Sequence, residues 1–155
     1  MAERPDVDEL TIEECPSNEG IIIIATVNRP EKLNALNLAV KEAIKSLCTW
    51  AQDSEKVRVI VFKGASPPPP PEGKRQKPHA FVAGADVSEF VGKDSVAIRP
   101  EFEDNVWEAV WKLRKPTIAL IDGYALGGGS ELALSCDIRI ATKRSMFGTP
   151  EINLG

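Results

Sequence analysis

The chain has 155 residues, 43% of them hydrophobic and 27% charged, which is the composition of a globular chain of about one domain and excludes disorder throughout. A net charge of −4 excludes a non-specific nucleic-acid or membrane-surface binder, because such a partner demands a broad basic field. Cys15, Cys48 and Cys136, with His79 as the single histidine, match neither a zinc pattern nor a disulfide framework, so they read as reduced thiols of an intracellular reducing compartment.

Residues 1–10 are acidic and lack an apolar centre, so they are neither a secretory signal nor a basic transit peptide. Cytoplasm is the expected location on that ground. Residues 1–20 read as an amino-terminal extension or edge strand. Residues 21–27, rich in β-branched side chains and closed by Asn28-Arg29-Pro30, predict a buried strand. Leu36, Val40, Ala43, Ile44, Leu47 and Trp50 then recur at helical spacing, and Asn37 is placed to cap the first turn. Residues 57–62 predict a second strand, with Val57, Val59 and Val61 on one face and Arg58, Ile60 and Phe62 on the other.

Residues 66–78 differ in kind. The five consecutive prolines Pro67 to Pro71 donate no ladder hydrogen bonds and favour extended polyproline II, so this is a surface loop. Lys74, Arg75 and Lys77 follow, and a solvated loop tip is their plain reading. Residues 81–86 are a short apolar piece in which Asp86 could cap a turn starting at Val87. Phe102, Val106, Trp107, Val110, Trp111 and Leu113 predict a helix that stops at Lys115-Pro116, with its tryptophans in core packing. Residues 117–121 predict a strand, Asp122-Gly123 a turn, 130–135 a helix and 137–141 a further strand. Strands alternating with helices predict an α/β fold built from crossover units.

Gly127-Gly128-Gly129 stand just before a helix, where unpaired N–H groups and the positive dipole end favour an anion. The same glycines also suit a tight strand-to-helix turn with no ligand. Glu131 lies in the apolar run Leu132-Ala133-Leu134 and could be a simple dipole partner of the helix start. Glu151 follows Pro150, again with apolar neighbours. Two carboxylates in such settings can have their proton affinities pushed apart, which suits general acid/base work.

Phe81-Val82-Ala83-Gly84-Ala85-Asp86, the run from Asp122 through Gly127-Gly128-Gly129-Ser130-Glu131-Leu132-Ala133, Cys136-Asp137 and Phe147-Gly148-Thr149-Pro150-Glu151 resemble successive signatures of the enoyl-CoA hydratase/isomerase (crotonase) family. Asn28-Arg29-Pro30 with Asn34-Ala35-Leu36-Asn37 resembles its amino-terminal signature. The resemblance implies a crotonase-like (ββα) spiral core over residues 21–155, interrupted by the proline-rich basic insertion at 66–78 and apparently truncated at the carboxy-terminal end. It implies an oxyanion hole made by the Ala85 and Gly128 N–H groups, with catalytic Glu131 and Glu151 holding a water. Glu151 would exchange the proton at Cα and Glu131 would help activate the water that adds at Cβ. Ala83, Ala85, Asp86, Val87, Ser88 and Gly128 would line the substrate, and Lys32 and Leu33 would lie on the CoA side.

The implied activity is that of an enoyl-CoA hydratase, a lyase of fatty acid metabolism that adds water across the 2,3-double bond of an enoyl-CoA thioester. It needs no metal and no cofactor, because CoA is part of the substrate. The alternatives are a Δ3,Δ2-enoyl-CoA isomerase and a truncated, non-catalytic acyl-CoA-binding remnant. RNA binding, known for some relatives, is disfavoured by net acidity. For the full-length family a homotrimer or dimer of trimers is implied, though not for 155 residues alone, and a carboxy-terminal peroxisomal address would lie beyond this sequence. Lys74, Arg75 and Lys77 are candidates to place positive charge near the CoA phosphates.

Overall fold

The computed structural model describes residues 3–99 and 105–153. Strand β1 (Leu10–Ser17) and strand β2 (Gly20–Val27) form an antiparallel hairpin in register from Leu10↔Val27 to Ser17↔Gly20. Pro16 is tolerated in β1 because that strand lies at the edge of its sheet, where an N–H is not needed. Val27 ends β2 at Asn28-Arg29-Pro30, and Pro30–Lys32 makes a single 3-10 turn.

Helix α1 (Leu38–Asp53) starts where the sequence places it, with the Asn37 side chain accepting from Val40 N–H at 3.0 Å. Its buried stripe of Val40, Ala43, Ile44, Leu47, Cys48 and Ala51 covers one face of the sheet. Strand β3 (Val57–Gly64) pairs parallel with β2. Here the expected alternation fails. Ile21 pairs with Val57 but Ile22 with Val59, so a bulge at Arg58 moves the buried face from Val57 to Ile60 and Phe62, while Val59 and Val61 are half-buried.

The chain then leaves this sheet. Residues 66–78 run over the surface to strand β4 (Ala80–Val82), the first strand of a second sheet. Asp86 caps the 3-10 turn Val87–Phe90 through Ser88 N–H, and Asp94 caps the short helix α2 (Ser95–Ile98). Phe102 lies outside the described residues. Helix α3 (Val106–Lys112) buries Val106 and Val110 against α1. Trp107 is partly buried against that core, whereas Trp111 is 75% exposed, so only one of the helix's tryptophans packs as the periodicity predicts.

Strand β5 (Thr117–Ile121) returns to the first sheet beside β3. Strand β6 (Tyr124–Leu126) crosses to the second, and helix α4 (Gly128–Ser135) follows. Strand β7 (Ile138–Ala141) then joins the first sheet and strand β8 (Met146–Gly148) the second. The strand orders are β1-β2-β3-β5-β7 and β4-β6-β8, so after the β1–β2 hairpin each consecutive pair, β3/β4, β5/β6 and β7/β8, places one strand in each sheet.

Side chains lock the crossings. Arg144 in the β7–β8 turn forks onto both oxygens of Asp122 in the β5–β6 turn, Thr142 donates to the same carboxylate, and His79 Nδ1 lies 3.2 Å from it at the entrance to β4. Asp137 ties the start of β7 to that of β5 by accepting from Thr117 N–H at 2.8 Å and Thr117 Oγ1 at 2.9 Å. Among the described residues, no helix is long and apolar enough to cross a membrane. Cys48 and Cys136 are buried free thiols, each pushed up to about 12 chiefly by burial, and Cys15 is a half-buried one.

Candidate active site

The site forms where β4 and β6 deliver the chain to the start of α4. Gly127 has φ +48° and ψ −122°, a conformation open to glycine and strained for any L side chain. It lets the chain turn from strand to helix within one residue. Gly129 then lies so close to β4 that a Cβ would overlap the Val82 carbonyl. The helix start is thereby pressed against residues 82–85.

This contact brings the two proposed donors together. A Cβ built on Gly128 would stand 3.7 Å from Ala85 N and 3.8 Å from Glu131 Oε2. Gly128 is the first residue of α4, where an N–H has no intrahelical acceptor. Ala85 bridges Leu36 in parallel fashion, with Leu36 N–H donating to Gly84 O and Asp86 N–H to Leu36 O, both at 2.8 Å. That ladder uses the groups on either side of Ala85, so its own N–H points away from Leu36 and takes no acceptor among the described residues.

Both glutamates reach the same corner. Glu131, in the first turn of α4, has Oε2 beside Gly128, and Glu151, in the 3-10 turn Pro150–Asn153, has Oε1 packed against Gly127. Gly127 N–H donates to Gly148 O at 2.8 Å, which fixes the end of β8 and therefore the approach of Glu151. The Glu131 carboxyl holds its proton more tightly than an ordinary glutamate, first through desolvation and second through the negative charge of Glu151. The pair is thus electrostatically coupled.

The remaining candidates separate into two groups. Ala83 N–H donates to Leu33 O at 3.1 Å, so these two are neighbours, while Val87 is 59% exposed on the rim and Lys32 is exposed on its turn. Asp86 is buried and already engaged, accepting from Ser88 Oγ at 2.6 Å and Arg29 Nη2 at 2.8 Å. These bonds hold its carboxyl down at about 2. Sequence reasoning gave no site role to Trp107, whose Nε1 donates to Gly128 O at 2.9 Å and whose ring lies against Gly128. No spacing signal links α3 to the glycine run. The described residues 66–78 approach the site's flank through Lys77, which donates to Glu31 O at 3.3 Å.

Comparison with known proteins gives the same fold. A solved enoyl-CoA hydratase/carnithine racemase from Magnetospirillum magneticum superposes with a TM-score of 0.79 at 28% identity, covering 97% of this chain and 52% of the other. An enoyl-CoA hydratase subunit from Geobacillus kaustophilus gives 0.75 at 35% identity, covering 96% and 52%. The α/β spiral is therefore the crotonase-like fold expected from the motifs. Among curated relatives, the short-chain-enoyl-CoA hydratase of Clostridium acetobutylicum is 37% identical over 139 residues, covering 88% of this chain and 49% of that one. The 2,3-dehydroadipyl-CoA hydratase of Escherichia coli is 34% identical, covering 90% and 50%. The chain spans about half the length of the curated relatives it matches. The enoyl-CoA hydratase/isomerase family model matches residues 17–155, and the chain belongs to that family.

Proposed function

We propose that the protein adds water across the 2,3-double bond of an enoyl-CoA thioester. The observation that carries this reading is the meeting, at one helix start, of two free main-chain N–H groups and two coupled carboxylates. Ala85 and Gly128 N–H receive the thioester oxygen as charge builds on it, and removing one such donor costs about 3–4 kcal/mol of transition-state stabilisation.

The oxygen of a water held between the glutamates bonds to Cβ, the π electrons move onto the thioester oxygen, and Glu151 delivers a proton to Cα. Glu131 takes the proton that the water sheds, and the pair keeps one proton between its two carboxylates. The raised proton affinity of Glu131 makes it a stronger base than an ordinary glutamate. Nothing beyond water and the CoA thioester enters the reaction.

The test is loss of enoyl absorbance from a short 2-enoyl-CoA. Glu131→Gln and Glu151→Gln are each expected to slow hydration by about 100- to 10,000-fold. Full hydration by either variant would sink the paired mechanism. Double-bond isomerisation that survives Glu131→Gln would move the reading to an isomerase, and acyl-CoA binding without turnover by the parent would leave a binding protein.

A further inference from the structure

Arg29 belongs to the amino-terminal signature, yet the proposed chemistry gives it no part. It is only 7% exposed, and its guanidinium joins the segment that carries Ala85 to the Ala35 turn and to Glu9. Nη2 donates to Asp86 Oδ2 at 2.8 Å, Nη1 donates to Ala35 O at 2.7 Å, and Nε lies 3.1 Å from Glu9 Oε1. The Nε contact is off the line of a hydrogen bond, so it is ionic in character.

Main-chain groups extend the brace. Arg29 N–H donates to Asn34 Oδ1 at 3.0 Å and Asn34 N–H to Arg29 O at 2.8 Å. The Asn34 amide, 1% exposed, donates onward to Ala65 O at 2.9 Å and Ala80 O at 2.7 Å. Leu33 and Asn34 both have positive φ, +53° and +57°, and for leucine that conformation persists only where the surroundings over-determine it. Leu33 O and Leu36 then take up Ala83, Gly84 and Asp86 N–H or C=O groups, so every residue flanking Ala85 is bound to the brace while the Ala85 N–H stays open.

We propose that Arg29 is a positioning residue: through its fork onto Asp86 and Ala35 it fixes the residue 83–86 segment, and with it the direction of the Ala85 N–H towards the thioester oxygen. The role rests on the hydratase reading, and the geometry gives it a measure that does not. A donor displaced by about 1 Å loses roughly 100-fold in rate without loss of binding, because the oxyanion forms only in the transition state.

The experiment uses the 155-residue chain with Arg29→Met, Arg29→Lys and Asp86→Asn. Hydration of a short enoyl-CoA is expected to fall by about 100-fold in Arg29→Met with KM nearly unchanged. An enoyl-CoA conjugated to an aromatic ring should show a bound-state absorbance red shift in the parent that shrinks in Arg29→Met and returns in part in Arg29→Lys. Full rate and full red shift in folded Arg29→Met would overturn the proposal.

Hydrogen exchange supplies the arm that needs no ligand. The Leu36 and Asp86 amides should lose protection in Arg29→Met and Asp86→Asn while the β2–β3 amides keep theirs. Unchanged protection at Leu36 and Asp86 would overturn the proposal. A parent that binds no acyl-CoA, with variants that show this selective loss, would remove the hydratase reading and leave the brace standing. If Arg29→Met fails to fold, Arg29→Lys and Asp86→Asn carry the same comparisons.

Discussion

Glu131 holds its proton above the ordinary glutamate range because it is desolvated and faces Glu151. The folded chain therefore binds that proton to higher pH than the unfolded chain, and stability falls as pH rises past the ordinary range. Glu131→Gln removes this penalty. It is expected to raise the melting temperature at pH 7 while slowing hydration, with the gain vanishing in acid, as thermal melts across pH would show. Asp86 has the opposite sign. Its carboxyl is lowered from 3.8 to about 2 by Ser88 first and Arg29 second, and Asp122 is lowered likewise, chiefly by Arg144. Both contributions are complete above the ordinary carboxylate range and are lost as pH falls through the folded values of about 2. Acid unfolding followed by circular dichroism should flatten between those limits in Asp86→Asn and in Asp122→Asn, and most in the double variant. Glu131 and Glu151 were legible as candidates because carboxylates stand out in apolar runs. The ion pair of Arg29 with Asp86, by contrast, joins residues 57 positions apart, and no local pattern encodes such a distance.

Elements whose signal is local were readable in advance. Asn37 announces α1 because a side-chain acceptor at that position satisfies an otherwise free N–H, and the isoleucines of β2 suit a buried pleat. Strands β6 and β8 were not anticipated, since three residues each are too few to establish a period of two. The bulge at Arg58 escaped for another reason, because it exists only in the register with β2 and a single strand does not reveal its partner. The insertion is legible as a loop from its prolines. Lys77 moors its far end to Glu31, next to Lys32, on the flank of residues 83–86. Neutralising Lys74, Arg75 and Lys77 together is expected to weaken CoA binding several-fold at low salt and less at high salt, because exposed charges are screened. Titration calorimetry at two ionic strengths checks this, and equal affinities at low salt would make the loop a bystander.

Across the whole molecule, apolar surface gathers towards the carboxy-terminal elements. Leu134, Ile138, Ile140, Met146 and Phe147 are each more than half exposed, and Ile152 is 87% exposed. A cleft of about 300 Å³ opens beside Leu120, Ile121 and Ile140 and is lined also by Lys63 and Asp122, and β7 leaves its outer edge unpaired among the described residues. An open strand edge with apolar neighbours invites association. Sedimentation velocity of the 155-residue chain is expected to show concentration-dependent self-association, and Ile140→Lys should reduce it. The alternation of strand and helix made the α/β class legible. The division into two sheets was legible only through the family resemblance and not from periodicity, because it depends on the turns at Asp122 and Arg144 meeting across the fold. The sheet orders β1-β2-β3-β5-β7 and β4-β6-β8 also rise with the order of the chain. On a ribosome, where residues emerge at about 5–20 per second, each strand therefore arrives after the neighbour it must join and docks on an edge still open to it. Among the described residues no strand has to be threaded between two that are already paired, so this part of the architecture can be laid down in the direction in which it is translated.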